Sequence, residues 1–209
     1  MSETKNSSPF IVCIHGIWMK PGVFWYMQRA LNSAGYGTHL FGYSSVQQHL
    51  SANAEYLDKF LQSLPDRRIN FVAHSLGGLL LLNYFTDHKD DRLGKSVLLG
   101  SPLAGSAVAR CCNQIKFLQP FLGKSNRELQ YGITQWAAPD KVIMIAGTKN
   151  LGLGQVFGST LSRPNDGTVA VSETKHPKLA AHYQIPESHT SMLYSKHTLK
   201  IIKAFLSDE

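Results

Sequence analysis

Short apolar runs alternate with amphipathic stretches along most of the chain. The apolar runs predict buried strands at 10–14, 38–42, 69–73, 96–100, 142–147 and 183–185. The stretches between them predict helices at 23–34, 49–64, 79–85 and 191–206. This alternation predicts a mostly parallel sheet covered by helices on both faces. In such a sheet, functional residues collect at the carboxyl ends of the strands.

The size of the chain favours one domain. It has 209 residues, of which 43% are hydrophobic, enough for a single large core. We therefore expect one domain over 1–209. Residues 1–9 are polar where a signal peptide has an apolar core, so we expect a flexible start and a cytoplasmic location. No apolar stretch reaches the length of a membrane span.

The charge and the cysteine content exclude several classes of partner and binding site. The formal charge is +7, but only 17% of residues are charged and the lysines and arginines are scattered, so no nucleic-acid partner is expected. A weak preference for anionic surfaces remains, and with it transient membrane contact. Cys13, Cys111 and Cys112 have no zinc-site or disulfide spacing, so neither a metal site nor a disulfide framework is expected.

Ser75 stands at the point where one apolar run ends and another begins. The sequence around it is Phe71-Val72-Ala73-His74-Ser75-Leu76-Gly77-Gly78. A small-x-Ser-x-Gly pattern between a strand and a helix is typical of a sharp turn that exposes a nucleophilic serine. Small residues at 73 and 77 make such a turn sterically feasible. The alternative is a serine that only caps the helix of buried leucines.

A serine nucleophile needs a histidine base and an acid, which follow it in that setting in the order acid, then histidine. Asp166 follows the strand at 142–147 in a turn-rich loop, whereas Asp140 precedes that strand and would lie at the opposite end of the sheet. His189 follows the strand at 183–185, and His197 is the second candidate. The alternatives are an aspartate that only forms an Asx turn and a surface histidine.

Acyl transfer also needs hydrogen-bond donors for a developing oxyanion. The backbone amide of Leu76 begins a helix and is one candidate donor. The second is the amide of Ile17, in the loop after the first strand, where Gly16 permits a tight turn. We expect His15 to shape this loop and take no part in catalysis.

These residues and three further motifs resemble the small lipases and carboxylesterases of the α/β-hydrolase superfamily, bacterial lipase-like members in particular. The motifs are Val12-Cys13-Ile14-His15-Gly16-Ile17-Trp18, Leu99-Gly100-Ser101-Pro102-Leu103-Ala104-Gly105-Ser106 and His189-Thr190-Ser191-Met192-Leu193. The resemblance covers almost the whole chain. Ala73, in place of the usual glycine, departs from the pattern as in some minimal lipases. The resemblance implies an α/β-hydrolase fold with a minimal cap or none, and ester hydrolysis through an acyl-enzyme without metal or cofactor.

The substrate pocket is harder to predict. The segment 102–139 is expected to form either a small cap or acyl pocket, or one covering helix with a loop. It carries six large apolar residues, namely Phe117, Leu118, Phe121, Leu122, Tyr131 and Trp136. Residues near the proposed nucleophile are expected to line the pocket, namely His15, Trp18, Met19, His74 and Leu103. The glycine-rich run at 152–158 has the wrong spacing for a dinucleotide loop and is interpreted as a flexible connector.

The sequence therefore predicts a serine hydrolase that acts on small-molecule or lipid esters. An acyltransferase or a thioesterase would use the same three residues, so both remain open. A noncatalytic binding protein on the same fold is a further alternative, although the three candidates occur in the expected order. The oligomeric state is not predicted.

Overall fold

Six parallel strands form the centre of the molecule. A computed structural model describes residues 9–133, 135–138, 140–152 and 161–207. The strands are β1 (Phe10–Ile14), β2 (Gly37–Phe41), β3 (Ile69–His74), β4 (Leu93–Leu99), β5 (Val142–Gly147) and β6 (Ala181–Ile185). Their order across the sheet is β2-β1-β3-β4-β5-β6, and every neighbouring pair is parallel. The predicted parallel sheet is confirmed.

Three strands begin earlier than the apolar pattern predicts: β2 by one residue, β6 by two and β4 by three. β4 starts at Leu93 and β6 at Ala181. Gly94 and Lys95 interrupt the apolar run of β4, which hides its first residues from a periodicity argument. The pairing of β3 with β4 is irregular there, between Ile69 and Phe71, and the Asn70 side chain accepts a hydrogen bond from the Lys95 amide (2.9 Å).

Four helices flank the sheet. They are α1 (Trp25–Asn32), α2 (Leu50–Gln62), α3 (Leu76–Asp87) and α7 (Lys196–Ser207). The predicted helices 23–34 and 191–206 each overlap a separate 3₁₀ turn before the α-helix, at Pro21–Phe24 and Ser191–Tyr194. Ser195 has an extended backbone, which separates the second turn from α7. No helix in the described ranges combines the length and the apolar content needed to cross a membrane.

The two faces of the sheet carry separate apolar clusters. Residues of α2 and α3 pack on one face, and residues of α1 and α7 pack on the other. Adjacent strand residues point to opposite clusters, as Val12 and Cys13 do in β1. Because both faces are covered, the interior strands β1 and β5 are apolar throughout, which is why the sequence pattern revealed them.

Three short helices occupy the connection between β4 and β5. They are α4 (Ala107–Gln114), α5 (Gln119–Leu122) and α6 (Asn126–Tyr131). The hydroxyl of Ser106 caps α4 by accepting from the Ala109 amide (3.2 Å). The segment is thus more elaborate than one covering helix with a loop.

The strand order reverses direction between β1 and β3. The chain runs from β1 outward to β2, then returns to β3 on the other side of β1. A crevice outside the carboxyl ends of the strands forms at such a reversal, and ligands bind there in open α/β sheets. His15 to Ile17 follow β1 directly and Ser75 follows β3 directly, so both lie at this reversal.

Candidate active site

Ser75 occupies a strained turn between β3 and α3. Its backbone angles are φ 53° and ψ −121°, which L-residues rarely adopt. Such a conformation costs roughly 1–3 kcal/mol and persists only where the surroundings impose it. Its amide donates to the Leu99 carbonyl (2.9 Å), so β4 holds the turn in place. Ser75 is mostly buried, yet its side chain borders a cavity.

Two glycines allow the chain to pack tightly around this turn. A Cβ at Gly77 would lie 2.5 Å from the Ile14 carbonyl oxygen and 2.6 Å from that of His15. A Cβ at Gly16 would lie 3.1 Å from the Ser75 Cβ. The loop after β1 therefore lies directly against the serine turn. Ala73 is fully buried in the α2–α3 face of the core, where its methyl group is accommodated.

Asp166 and His189 form a buried pair. His189 Nδ1 lies 2.6 Å from Asp166 Oδ2, and the His189 amide donates to the Asp166 backbone oxygen (2.9 Å). The other carboxylate oxygen of Asp166 accepts from the amides of Thr168 (2.9 Å) and Val169 (2.7 Å). The aspartate thus forms an Asx turn through one oxygen and binds the histidine through the other.

Glycines at the ends of β4 and β5 make room for this pair. A Cβ at Gly100, where φ is 57°, would lie 3.1 Å from both Asp166 Oδ2 and His189 Nδ1. A Cβ at Gly147 would lie 2.8 Å from the Asp166 Cβ. The sequence analysis missed these two positions. Their signal is a glycine at the carboxyl end of each of two adjacent buried strands.

His74 lies against His189. The ring centroids are 4.6 Å apart, and His74 Nε2 lies 2.9 Å from the His189 backbone oxygen. Since His74 immediately precedes Ser75, this contact brings the loop of His189 to the serine turn. The three residues predicted to act together, Ser75, Asp166 and His189, therefore gather at one edge of the sheet.

Asp140, which the sequence analysis excluded, and His197, the second candidate for the base, lie elsewhere. Asp140 pairs with Arg68, which precedes β3, so it is at the amino end of the strands as predicted. His197 is exposed on α7.

The backbone amides of Leu76 and Ile17, the two candidate oxyanion donors, donate to no backbone acceptor among the residues that the structure describes. Leu76 is the first residue of α3, so its N–H has no acceptor within the helix. The Ile17 amide has no acceptor within the described part of the chain.

His15 holds the loop before Ile17. Its ring stacks on Tyr43 (4.5 Å), its Nδ1 donates to the Gly16 oxygen (2.9 Å), and the Tyr43 hydroxyl donates to its backbone oxygen (2.9 Å). Burial lowers the pKa of His15.

Residues 9–150 match the family model described as alpha/beta hydrolase fold. This chain belongs to that family. No curated protein matches the sequence of this alpha/beta hydrolase.

Solved structures of the same fold are similar to this alpha/beta hydrolase over most of its length. The mature lipase BlEst2 of Bacillus licheniformis is 18% identical with a TM-score of 0.75, over 97% of this chain and 94% of that chain. The metagenomic carboxyl esterase MGS0156 is 16% identical with a TM-score of 0.70, over 88% and 65%. The Paleococcus ferrophilus monoacylglycerol lipase is 15% identical with a TM-score of 0.64, over 96% and 95%. At these identities the similarity shows the fold alone.

An apolar cavity of about 290 Å³ opens beside Ser75 in this alpha/beta hydrolase. One wall comes from the loop after β1, through Ile17 and Trp18. A second part of the wall comes from the connection between β4 and β5, and a third from Thr168 and Val169 beside Asp166. The residues from the connection are Pro102, Ser106, Val108, Ala109, Cys112, Leu118, Phe121, Leu122 and Leu129.

Trp18 joins the two sides of the cavity. Its indole Nε1 donates to the Phe121 backbone oxygen (2.7 Å), and the two rings are 5.9 Å apart. The backbone of Trp18 has a positive φ of 61°, and its amide donates to the Ser45 hydroxyl (3.2 Å). Trp18 thereby links the loop after β1 to α5 across the cavity.

Four residues predicted to line the pocket lie outside it. His74 and Leu103 are fully buried in the layers beneath. His15, whose ring stacks on Tyr43, lines a separate cavity together with Lys20. Met19 packs with the α1–α7 face of the core. Of the predicted pocket residues, only Trp18 lines the cavity.

The segment 102–139 divides its apolar residues among three environments. Leu118, Phe121 and Leu122 line the cavity, as expected of a pocket wall. Phe117 and Tyr131 are exposed, and Trp136 is buried in the core. The small residues of α4 that complete the wall were not predicted, because a cavity wall formed by Val108, Ala109 and Cys112 has no distinctive sequence signal.

Glu173 connects the loop of Asp166 to the start of α4 through hydrogen bonds. Its nearly buried carboxylate accepts from the Ala107 amide at the start of α4 (2.5 Å) and from the Ala170 amide (2.9 Å). The Ala104 amide donates to its backbone oxygen (2.9 Å). Burial raises the pKa of this carboxyl group, and the two amides and Arg110 partly offset that effect. The sequence analysis did not identify it.

Proposed function

We propose that this protein is a serine hydrolase that cleaves carboxylic esters through an acyl-enzyme, with Ser75 as nucleophile, His189 as base and Asp166 as the acid that orients the base. The observation that carries the proposal is the 2.6 Å hydrogen bond between His189 Nδ1 and Asp166 Oδ2, next to a strained serine turn. Strained backbone and a histidine fixed by a carboxylate are typical of an activated nucleophile.

The hydrogen bond to Asp166 defines the chemistry available to His189. A carboxylate oxygen only accepts, so Nδ1 carries the hydrogen and Nε2 of the neutral ring has a free electron pair. Nε2 takes the Ser75 proton as Oγ bonds to the ester carbonyl carbon. It then gives that proton to the departing alkoxide, which leaves as an alcohol. Water repeats both steps on the acyl-serine and releases the acid.

The amides of Ile17 and Leu76 are proposed to hold the oxyanion. Both are fixed in the backbone, so they need no reorganisation as charge develops on the carbonyl oxygen. Leu76 opens the 12-residue α3, whose dipole places positive potential at the same point. His15 would contribute only by holding the Ile17 loop in shape.

The cavity beside Ser75 is proposed to receive the acyl group. Its volume of about 290 Å³ lies at the small end of ligand pockets, which span roughly 300–1,000 Å³. Its walls are almost entirely apolar, so an acyl chain would gain from leaving water there. We propose short or medium acyl chains, with 102–139 acting as a small cap within a single domain.

We also propose the class of substrate and the location of the protein. A small-molecule or lipid ester fits the apolar cavity, and no nucleic-acid partner, metal or cofactor enters the mechanism. A cytoplasmic location with transient membrane contact is proposed from the sequence alone. The named neighbours are a lipase, a carboxyl esterase and a monoacylglycerol lipase, which agrees with ester hydrolysis but concerns those proteins.

Hydrolysis of p-nitrophenyl esters of increasing acyl length tests the proposal. The parent protein should be active, with a preference for short or medium chains, and Ser75→Ala should lose several orders of magnitude in rate. Ser63→Ala, on the surface at the end of α2, is the matched control and should retain full activity. Equal activity in the parent and in Ser75→Ala would overturn the proposal. Thioester and alcohol-acceptor assays beside it separate a thioesterase or an acyltransferase from an esterase.

A further inference from the structure

His74 is a buried histidine that the proposed chemistry does not use. It is fully buried at the end of β3, one residue before Ser75. Its Nε2 lies 2.9 Å from the His189 backbone oxygen, 115 residues away along the chain. Because a carbonyl oxygen only accepts, Nε2 carries the hydrogen and donates it.

The other ring nitrogen of His74 faces the loop after β1. A Cβ at Gly16 would lie 3.0 Å from Nδ1, so the loop packs directly on the ring. Nδ1 has no hydrogen-bond partner among the residues that the structure describes. Burial, with smaller contributions from the nearby rings of His189 and His15, lowers the pKa of His74 to about 3. The ring is therefore neutral near pH 7, with its one hydrogen on Nε2.

His74 completes the support of His189. Asp166 holds the ring of His189 through its carboxylate and the amide of His189 through its backbone oxygen. His74 donates to the backbone carbonyl of His189, and the centroids of the two rings are 4.6 Å apart. Together these contacts fix the side chain and both backbone polar groups of His189.

We propose that His74 is a positioning residue for the base. Its Nε2–H donates to the His189 carbonyl, and its ring packs between His189 and Gly16. These two contacts hold the His189 imidazole and the Ile17 loop in position relative to Ser75. The inference rests on the proposed function. His74 touches no substrate in this account, since it lies outside the cavity. Its effect passes through His189 and Gly16.

Three variants distinguish the effect of the hydrogen-bond donor from the effect of ring packing. His74→Phe keeps a ring of similar size and removes the donor. His74→Gln and His74→Met have similar length, but only glutamine can donate to the His189 carbonyl. His182→Gln, half-buried on β6 and bonded to Thr174, is the control outside the site.

Misplacing a catalytic group by about 1 Å costs ~100-fold in rate, so we expect kcat to fall about 10- to 100-fold in His74→Phe and His74→Met. KM for a p-nitrophenyl ester should change less than about twofold, because the cavity is untouched. His74→Gln should recover most of the lost kcat. The apparent pKa in the kcat/KM profile should move in the two variants without a donor and stay in place in His74→Gln and His182→Gln.

A proton NMR measurement gives a readout independent of turnover. The hydrogen between His189 Nδ1 and Asp166 should give a downfield resonance in the parent, His74→Gln and His182→Gln, and shift or broaden in His74→Met. If the parent cleaves no ester, the proposed function fails while this comparison still decides the role of His74. If His74→Phe does not fold, the glutamine and methionine pair carries the test. Parent-like kcat, pH profile and resonance in His74→Met would overturn the inference.

Discussion

Asp166 and His189 are joined twice: the carboxylate accepts from the imidazole at 2.6 Å, and the Asp166 backbone oxygen accepts from the His189 amide at 2.9 Å. A side-chain bond alone would leave the two loops free to shift. The second bond fixes the loop after β5 to the loop after β6. The orientation of the imidazole is therefore set by backbone as well as by charge.

Asp166→Asn tests this orientation. An asparagine can present its NH₂ to Nδ1, which favours the tautomer with the hydrogen on Nε2 and removes the base. Replacing the acid of a triad in this way lowers kcat by ~10⁴-fold, and we expect a loss of that order. The measurement is kcat on a p-nitrophenyl ester. Asp140→Asn, at the opposite end of the sheet, is the control, and an Asp166→Asn protein as active as the control would contradict the assignment.

Gly77→Ala tests the close packing of the serine turn. The new methyl group would lie 2.5 Å from the Ile14 oxygen and 2.6 Å from the His15 oxygen, both of them backbone atoms. Alanine is intrinsically better than glycine in a helix, yet overpacking of this kind costs roughly 1–3 kcal/mol. Urea unfolding should show that loss. Gly22→Ala, where a Cβ has no neighbour within 4 Å, should leave stability unchanged or slightly raised.

Val108→Phe tests the assignment of the acyl cavity. The larger ring would extend into the 290 Å³ space beside Ser75. We expect kcat/KM for longer acyl chains to fall about tenfold relative to acetate, the discrimination that one or two methylene groups provide in an apolar pocket. Gln114→Phe, exposed at the end of α4, should leave the chain-length profile unchanged. An unchanged profile in Val108→Phe would place the acyl group elsewhere.

Acid stability should depend on His74. Its pKa is about 3 in the folded protein against 6.5 for the ordinary side chain, so between these values the unfolded chain binds a proton that the folded protein does not. The contribution of His74 to the free energy of unfolding is therefore fully present above about pH 6.5. It is lost as the pH falls towards 3. By linkage the loss approaches ~4–5 kcal/mol at the lower end.

The difference in free energy of unfolding between the parent and His74→Gln, followed by urea unfolding from pH 7 to pH 4, measures this contribution. The parent should lose stability more steeply, because glutamine has no proton to bind. His197→Gln, exposed on α7, should follow the parent. Parallel curves for the parent and His74→Gln would show that His74 does not remain neutral in the folded state.

The sheet could be predicted because it is buried on both faces. A strand covered on both sides is apolar at most positions, and such runs revealed the interior strands most clearly. The early start of β4 was hidden because Gly94 and Lys95 interrupt its run. The two 3₁₀ turns were merged with their helices, since apolar spacing does not separate a tight turn from an α-helix.

The positions of Ser75, Asp166 and His189 could be predicted because each lies in a connection that leaves the carboxyl end of a strand in a parallel sheet. The cavity could not, because its walls depend on how three short helices pack on the loop after β1. His74 was expected in the pocket, yet it is buried by contacts with residues far along the chain. The connector predicted at 152–158 falls mainly on 153–160, outside the described residues, and stays a prediction.

The central claim is that Ser75 is the nucleophile. The most direct test is reaction of the folded protein with a fluorophosphonate, followed by peptide mass spectrometry to locate the adduct. The account predicts one adduct, on the peptide that contains Ser75, and none in Ser75→Ala, with much slower labelling in a His189→Ala variant. A parent that stays unlabelled, or an adduct on another residue that persists in Ser75→Ala, would contradict it.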